Sequence, residues 1–310
     1  MTTPPHTSGP PSRPWFARRK VRVVAYRINR HPRPQGNLFG SQPKDFLAHL
    51  DAALRFGYRV VISNTGDRQW QLGNRTINGA RGYLAGMIGS ESRTAPERTH
   101  FDETTADWIL DVGTPQATVS PFAITTANQR LLVAKHSIFL ESSVATAFTR
   151  ILNDGEQARD NGRTTDWDVQ PILDETEFED WLGEITVLDE VTFVARLPNP
   201  DAEDSYRGTH THMKQMKAGE LRHHLRAAIE TVGLSTSFAN DETASEMLAM
   251  AKRGYAAVSA KARDDTGIVV VYRQRQSTRH RVVRFSSATH NDARDELADH
   301  AVEWAKEEDG

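Results

Sequence analysis

The chain has 310 residues, 38% hydrophobic and 25% charged, which is enough for one large or two ordinary domains with a real core. It has no cysteine, which excludes disulfides, thiolate catalysis and sulfur-ligated zinc, and no run of about 18 apolar residues that could span a bilayer. The net charge of −3 hides segregation: residues 1–44 hold nine basic side chains and no acidic one, residues 154–204 sixteen carboxylates against three arginines, and residues 252–284 nine basic side chains against Asp264 and Asp265.

Residues 1–18, rich in Pro, Ser, Thr and Gly, read as a disordered basic tail with no apolar area to bury. A first α+β half follows over 19–153. Val21, Val23, Val24, Tyr26 and Ile28 predict a strand, and the Pro- and Gly-punctuated stretch 29–41 a loop. Ser41 as cap and Pro43 in the first turn predict a helix with Phe46, Leu47, Leu50, Ala53 and Leu54 on one face, ending at Gly57. Residues 58–63 and 83–88 read as strands, and 120–141 as a hairpin turning at Asn128 and Gln129. Ser142 and Ser143 then cap a helix carrying Val144, Ala147, Phe148, Ile151 and Leu152, with Asn153 and Gly155 as its stop.

The polar stretch 154–166 is the expected linker, and 167–310 the second α+β half. It opens with a strand over 168–173, a short helix carrying Phe178, Trp181 and Leu182, and an apolar strand region over 185–197 that runs into the turn Pro198-Asn199-Pro200-Asp201. Two helices follow. One carries Leu221, Leu225, Ile229 and Val232 and closes at Gly233; the other is capped by Asp241, carries Met247, Leu248 and Ala251, and closes at Gly254. Residues 255–285 read as an antiparallel three-stranded meander turning at Asp264–Gly267 and again over 276–279, and Ala293, Leu297, Ala301 and Trp304 mark a C-terminal helix. The fold class is therefore α+β, with two mixed sheet-and-helix halves.

The meander is the candidate nucleic-acid-binding surface. Arg273 and Arg275 share one strand face, Lys261, Arg263, Arg279 and Arg281 extend a cationic rim, and Arg30 and Arg33 belong to the basic N-terminal region. Cations for phosphates beside an aromatic such as Tyr272 are what readers of single strands use. Lys and Arg on a sheet edge also guard against edge pairing, and the acidic middle could instead cover the basic ends within the chain or in a dimer. His210, His212, His223 and His224 have no diagnostic metal spacing, and the carboxylates of 174–180 and 201–204 also read as a solvated face. No phosphate-binding glycine loop and no Gly-x-Ser-x-Gly elbow is present, so no catalytic residue, metal or cofactor is assigned.

The loop Asn29-Arg30-His31-Pro32, the run Ser137–Glu141 leading to Ala147 and Phe148, the turn Leu197–Asp201, and Lys252–Tyr255 before the Asp264–Gly267 hairpin stand in an order that resembles an uncharacterised bacterial family of about 300 residues, a domain of unknown function. The resemblance covers most of residues 20–286. It implies a bacterial cytoplasmic protein from the mobile or anti-phage gene pool, with no catalytic residues to carry over. The expectation is thus a non-enzymatic protein of the cytoplasm that binds RNA or DNA, or acts as a homo-oligomer or with a partner protein, away from membranes, in bacterial defence. Its rivals are a metal-dependent nuclease or hydrolase toxin, with a site assembled from Asp201, Asp204, His210 and His212, and a charge-driven self-assembling subunit.

Overall fold

The computed structural model describes residues 14–32, 45–55, 60–62, 68–91, 99–110, 117–137, 139–158, 165–196, 207–229, 232–238, 241–274 and 278–309. A large antiparallel sheet is organised around its longest strand, β1 (Lys20–Pro32). Strand alternation sends Val24, Tyr26 and Ile28 to one face and Val21, Val23 and Ala25 to the other, and both faces are buried. Along one edge β1 pairs with β8 (Arg130–Ala134). The other edge is shared by two strands from late in the chain: β14 (His280–Arg284) runs beside Lys20–Val24 and β9 (Thr165–Pro171) beside Tyr26–Pro32. Beyond β8 the sheet continues through β7 (Ala117–Thr125), β4 (Tyr83–Glu91), β3 (Arg68–Asn78) and β2 (Val60–Ile62).

Helices α1 (Phe46–Leu54) and α2 (Glu141–Gln157) cover one face of this sheet. Helix α6 (His290–Asp309) and the hairpin of β5 (Thr99–Asp102) and β6 (Asp107–Leu110) cover the other. Cover on both sides leaves β7 buried at every position.

The second sheet has four strands in the order β11 (Glu220–Arg226), β10 (Val187–Arg196), β12 (Ala256–Arg263), β13 (Val269–Arg273). Its inner face packs on α3 (Glu175–Glu184), α5 (Glu242–Lys252) and Phe238; α4 (Arg207–Gln215) adds Met213 to that core. Glu246 of α5 holds the start of α4, its carboxylate accepting from the Gly208 and Thr209 amides at 3.0 and 2.6 Å. The α+β class, the antiparallel sheets and the C-terminal helix are as the sequence leads one to expect, and no helix among the described residues is long and apolar enough to cross a membrane.

Several elements differ from the sequence reading. Asn29–Pro32 continue β1 rather than forming a loop, because β9 supplies a ladder for them and the Asn29 side-chain Nδ2 donates to the Gly254 carbonyl at 3.2 Å. Residues 220–226 are strand β11, not a helix, since β10 offers an open edge that pairs with them residue for residue, Glu190 with Arg226 through Arg196 with Glu220. The third strand expected in the meander forms, but it joins β1; buried Gln274 ties the crossing together by donating to the Pro171 carbonyl at 2.7 Å and accepting from the Val258 amide at 2.7 Å. Order starts before residue 19: Phe16 is fully buried, and the Trp15 indole donates to the Val119 carbonyl at 2.8 Å.

Asp45 caps α1, accepting from the Leu47 and Ala48 amides, whereas Ser41, Pro43 and Gly57 lie outside the described residues. Ser142 and Ser143 sit inside the first turn of α2, which follows Leu140 without a side-chain cap and runs on through Asn153, Gly155 and Glu156. Asn153 does not break the helix because its side chain brackets the Trp167 backbone, donating to the carbonyl and accepting from the amide at 2.8 Å each. Residues 159–164 of the expected linker and the turn Pro198–Asp201 lie outside the described residues.

His290 opens α6 beside the Phe16 ring, 5.8 Å away, and burial lowers its pKa from 6.5 to about 4. The unfolded chain therefore binds a proton near pH 6.5 that the folded chain refuses until about pH 4. Stability should fall as pH drops through that window, by about 3 kcal/mol in all from this group. Urea titrations from pH 7 to pH 4 should show a flatter pH dependence in His290→Gln; equal slopes in the two proteins would refute the assignment.

Candidate nucleic-acid interface

The outer face of the four-stranded sheet is open and carries most of the charge of its strands. In β10, Val191, Phe193 and Ala195 point inward, so Glu190, Thr192, Val194 and Arg196 point outward. Register then sets their neighbours: Arg226, His224, Arg222 and Glu220 of β11 stand opposite them on one flank. Lys261 and Ser259 of β12 stand opposite Glu190 and Thr192 on the other flank, and Val271 and Arg273 of β13 lie beyond these.

Part of this charge is internally satisfied. Asp189 holds Arg263 by its Nε and Nη2 at 2.6–3.2 Å, and Asp168 pairs with Arg196, which also lies 3.8 Å from Glu220. His224 stands 3.7 Å from Glu190 and Arg222 3.9 Å from Glu220. Arg226, Lys261 and Arg273 have no ion-pair partner among the described residues.

A hollow of about 240 Å³ opens between Glu190, Arg226, Lys261, Arg263 and Val269. At the opposite end of the face, Arg196 and Arg273 meet the first turns of α2 in two clefts that share Ser142. The smaller, about 190 Å³, is lined by Thr146, Thr149, Arg150, Asp168 and Gln170 with Arg196; the larger, about 430 Å³, by Lys135, Phe139, Leu140 and Glu141 with Arg273. The face thus has a wall at one end. Behind Arg196, His31 has its pKa lowered, first by burial and further by Arg196, against the pull of Asp168.

Of the cations singled out from the sequence, Lys261, Arg263 and Arg273 stand together here. Arg279 and Arg281 do not, because the strand crossing takes them to the large sheet. There Arg281 pairs with Glu307 and lies over the Trp304 ring at 4.5 Å, and Arg279 is half-buried, with burial lowering its pKa. Arg30 is 3% exposed and lies over the Phe46 ring at 5.0 Å, so it faces the core. Arg33 and Arg275 lie outside the described residues. Tyr272 offers no stacking surface, being buried 4.8 Å from Phe178 and 5.4 Å from Trp181.

Arg196, Arg222, His224 and Arg226 are the residues that sequence reasoning missed. The signal for the last three was the strict alternation of Glu220, Arg222, His224 and Arg226 with Leu221, His223 and Leu225. Of the proposed metal set, His210 and His212 lie on α4, with the His210 pKa lowered by burial and by Lys214, and Asp201 and Asp204 lie outside the described residues.

The sequence profile of a domain of unknown function, DUF4747, matches residues 62–300. The chain belongs to the DUF4747 family. A comparison with curated proteins finds no match. The DUF4747 span contains the whole four-stranded sheet, α2 and β14, so every element of the candidate interface lies within the family's own domain.

Proposed function

We propose that this DUF4747 protein binds nucleic acid through the open face of its four-stranded sheet, contacting the phosphate backbone without catalysing a reaction. The observation that carries the reading is the grouping of Arg222, Arg226, Lys261 and Arg273, with Arg196 and Arg263 beside them in ion pairs with Asp168 and Asp189, against Glu190 and Glu220 on the same face. Cations held in such an array release counterions from a polyphosphate strand, which supplies affinity independent of base sequence. The lack of Phe, Tyr or Trp among the described outward side chains argues for backbone contact in place of base stacking. A cytoplasmic setting and a role in bacterial defence belong to the same proposal and rest on what the resemblance drawn from the sequence implies.

Fluorescence anisotropy with single- and double-stranded RNA and DNA across a salt series tests the reading. Affinity should fall linearly with salt on logarithmic axes. Arg226→Glu with Lys261→Glu should weaken binding by roughly tenfold or more and reduce the salt slope by about two. Affinity indifferent to salt, or to this double change, would sink the proposal.

A further inference from the structure

We infer that Asp174, Glu177 and His280 bind a divalent transition-metal ion at the seam where β9 ends and β14 begins. The inference is independent of the nucleic-acid reading. The seam is built by main chain: the Ala25 amide donates to the Arg279 carbonyl at 2.8 Å, the Ile172 amide to the Ala25 carbonyl at 3.2 Å, and the Arg279 amide to the Ile172 carbonyl at 2.8 Å. A bridge between Leu173 and Thr278 lays the two segments side by side. Asp174 and His280, more than a hundred residues apart, are thereby fixed as neighbours, and Glu177 joins them from the first turn of α3.

The donor atoms converge without bonding one another. Asp174 uses Oδ1 to cap α3, accepting from the Glu177 amide at 3.2 Å, and leaves Oδ2 facing His280 Nδ1 at 3.5 Å. Glu177 Oε1 lies 4.0 Å from the same nitrogen, and the three donor atoms fall within 4.8 Å of one another. His280 Nδ1 is closed off from solvent and makes no hydrogen bond. A cluster held together by hydrogen bonds would be tighter. Two donors each about 2.0–2.1 Å from a tetrahedral ion stand roughly 3.3 Å apart, so the pocket needs only a small contraction to close on one.

One imidazole with two carboxylates suits zinc or manganese better than magnesium or calcium, which prefer all-oxygen shells. The side chains are 16–37% exposed, so water can complete the shell. Arg22 Nη2 lies 3.5 Å from Glu177 Oε1 and donates to the Thr278 carbonyl at 3.4 Å, so an entering ion must displace it from the carboxylate. The competing account is metal-free, with the Arg22 and Arg279 guanidiniums balancing the two carboxylates.

The test uses the full chain, stripped with a chelator and titrated near neutral pH with zinc, manganese and magnesium by calorimetry and by competition with a chromophoric indicator. One equivalent of zinc should bind, with magnesium far weaker. Asp174→Asn, which preserves the helix cap, and His280→Gln should each weaken zinc by roughly tenfold or more with unchanged circular dichroism. Arg22→Gln should tighten it. No stoichiometric zinc in the parent, or equal affinity in the Asp174→Asn, His280→Gln double variant, overturns the inference; should His280→Gln fail to fold, Asp174→Asn alone decides.

Discussion

Gly155→Ala is expected to destabilise the protein by about 3 kcal/mol or more, although glycine to alanine inside a helix ordinarily gains about 1 kcal/mol. A Cβ built on Gly155 falls 1.7 Å from the Ala53 carbonyl oxygen, where α1 crosses α2. The obstacle is backbone, so no side chain can swing aside. The two helices must part, and the layer they share with Leu50, Leu54, Ile151 and Leu152 must open with them. Gly183 in α3 supplies the control, since nothing lies within 4 Å of a Cβ placed there and alanine should be neutral or stabilising. Urea denaturation of both variants separates the effects. A neutral Gly155→Ala would mean that the helices cross less closely than the geometry requires.

The same glycine shows what a sequence does and does not disclose. Within a helical pattern, Gly after Asn reads as a stop signal, but here it marks the closest approach of a second helix, a fact of tertiary packing. Elements whose buried face depends on one period were legible: α5 through Met247 and Ala251, β12 through Val258, Ala260 and Ala262, α6 through Leu297 and Trp304. Leu221 and Leu225 stand four apart, which satisfies a helix and an alternating strand equally, and only the open edge of β10 decides between them. Strand β3 hid behind its polar residues, since Gln71 is 1% exposed, and behind Gly73, which makes room for the Trp108 ring.

The candidate interface was half legible for the same reason. Charge counting found Lys261, Arg263 and Arg273, but which cations share a face follows from register and from the crossing at Gln274. Spacing could not reveal Asp174, Glu177 and His280 either, because β9 and β14 are distant in sequence and are brought together by their shared pairing with β1 and the bridge from Leu173 to Thr278.

His49→Ala is expected to cost about 2–3 kcal/mol, the range for removing a buried hydrogen-bond partner of a charged group. His49 Nε2 and Glu156 Oε2 are 2.9 Å apart with side chains 0% and 1% exposed, joining α1 to the last turn of α2. The Trp167 ring lies 4.7 Å from the imidazole and its indole nitrogen 3.5 Å from the same carboxylate oxygen, so the pair is roofed by an aromatic ring that water cannot replace. Nε2 faces the carboxylate and so donates to it, while Nδ1 has no hydrogen-bond partner among the described residues. Removing His49 leaves the Glu156 carboxylate without its imidazole donor, whereas Glu156→Gln keeps an acceptor in place and sheds the charge. Glu156→Gln should therefore cost well under half as much as His49→Ala. Equal losses in chemical denaturation would instead assign the stabilisation to His49 packing on Trp167 and not to the polar contact.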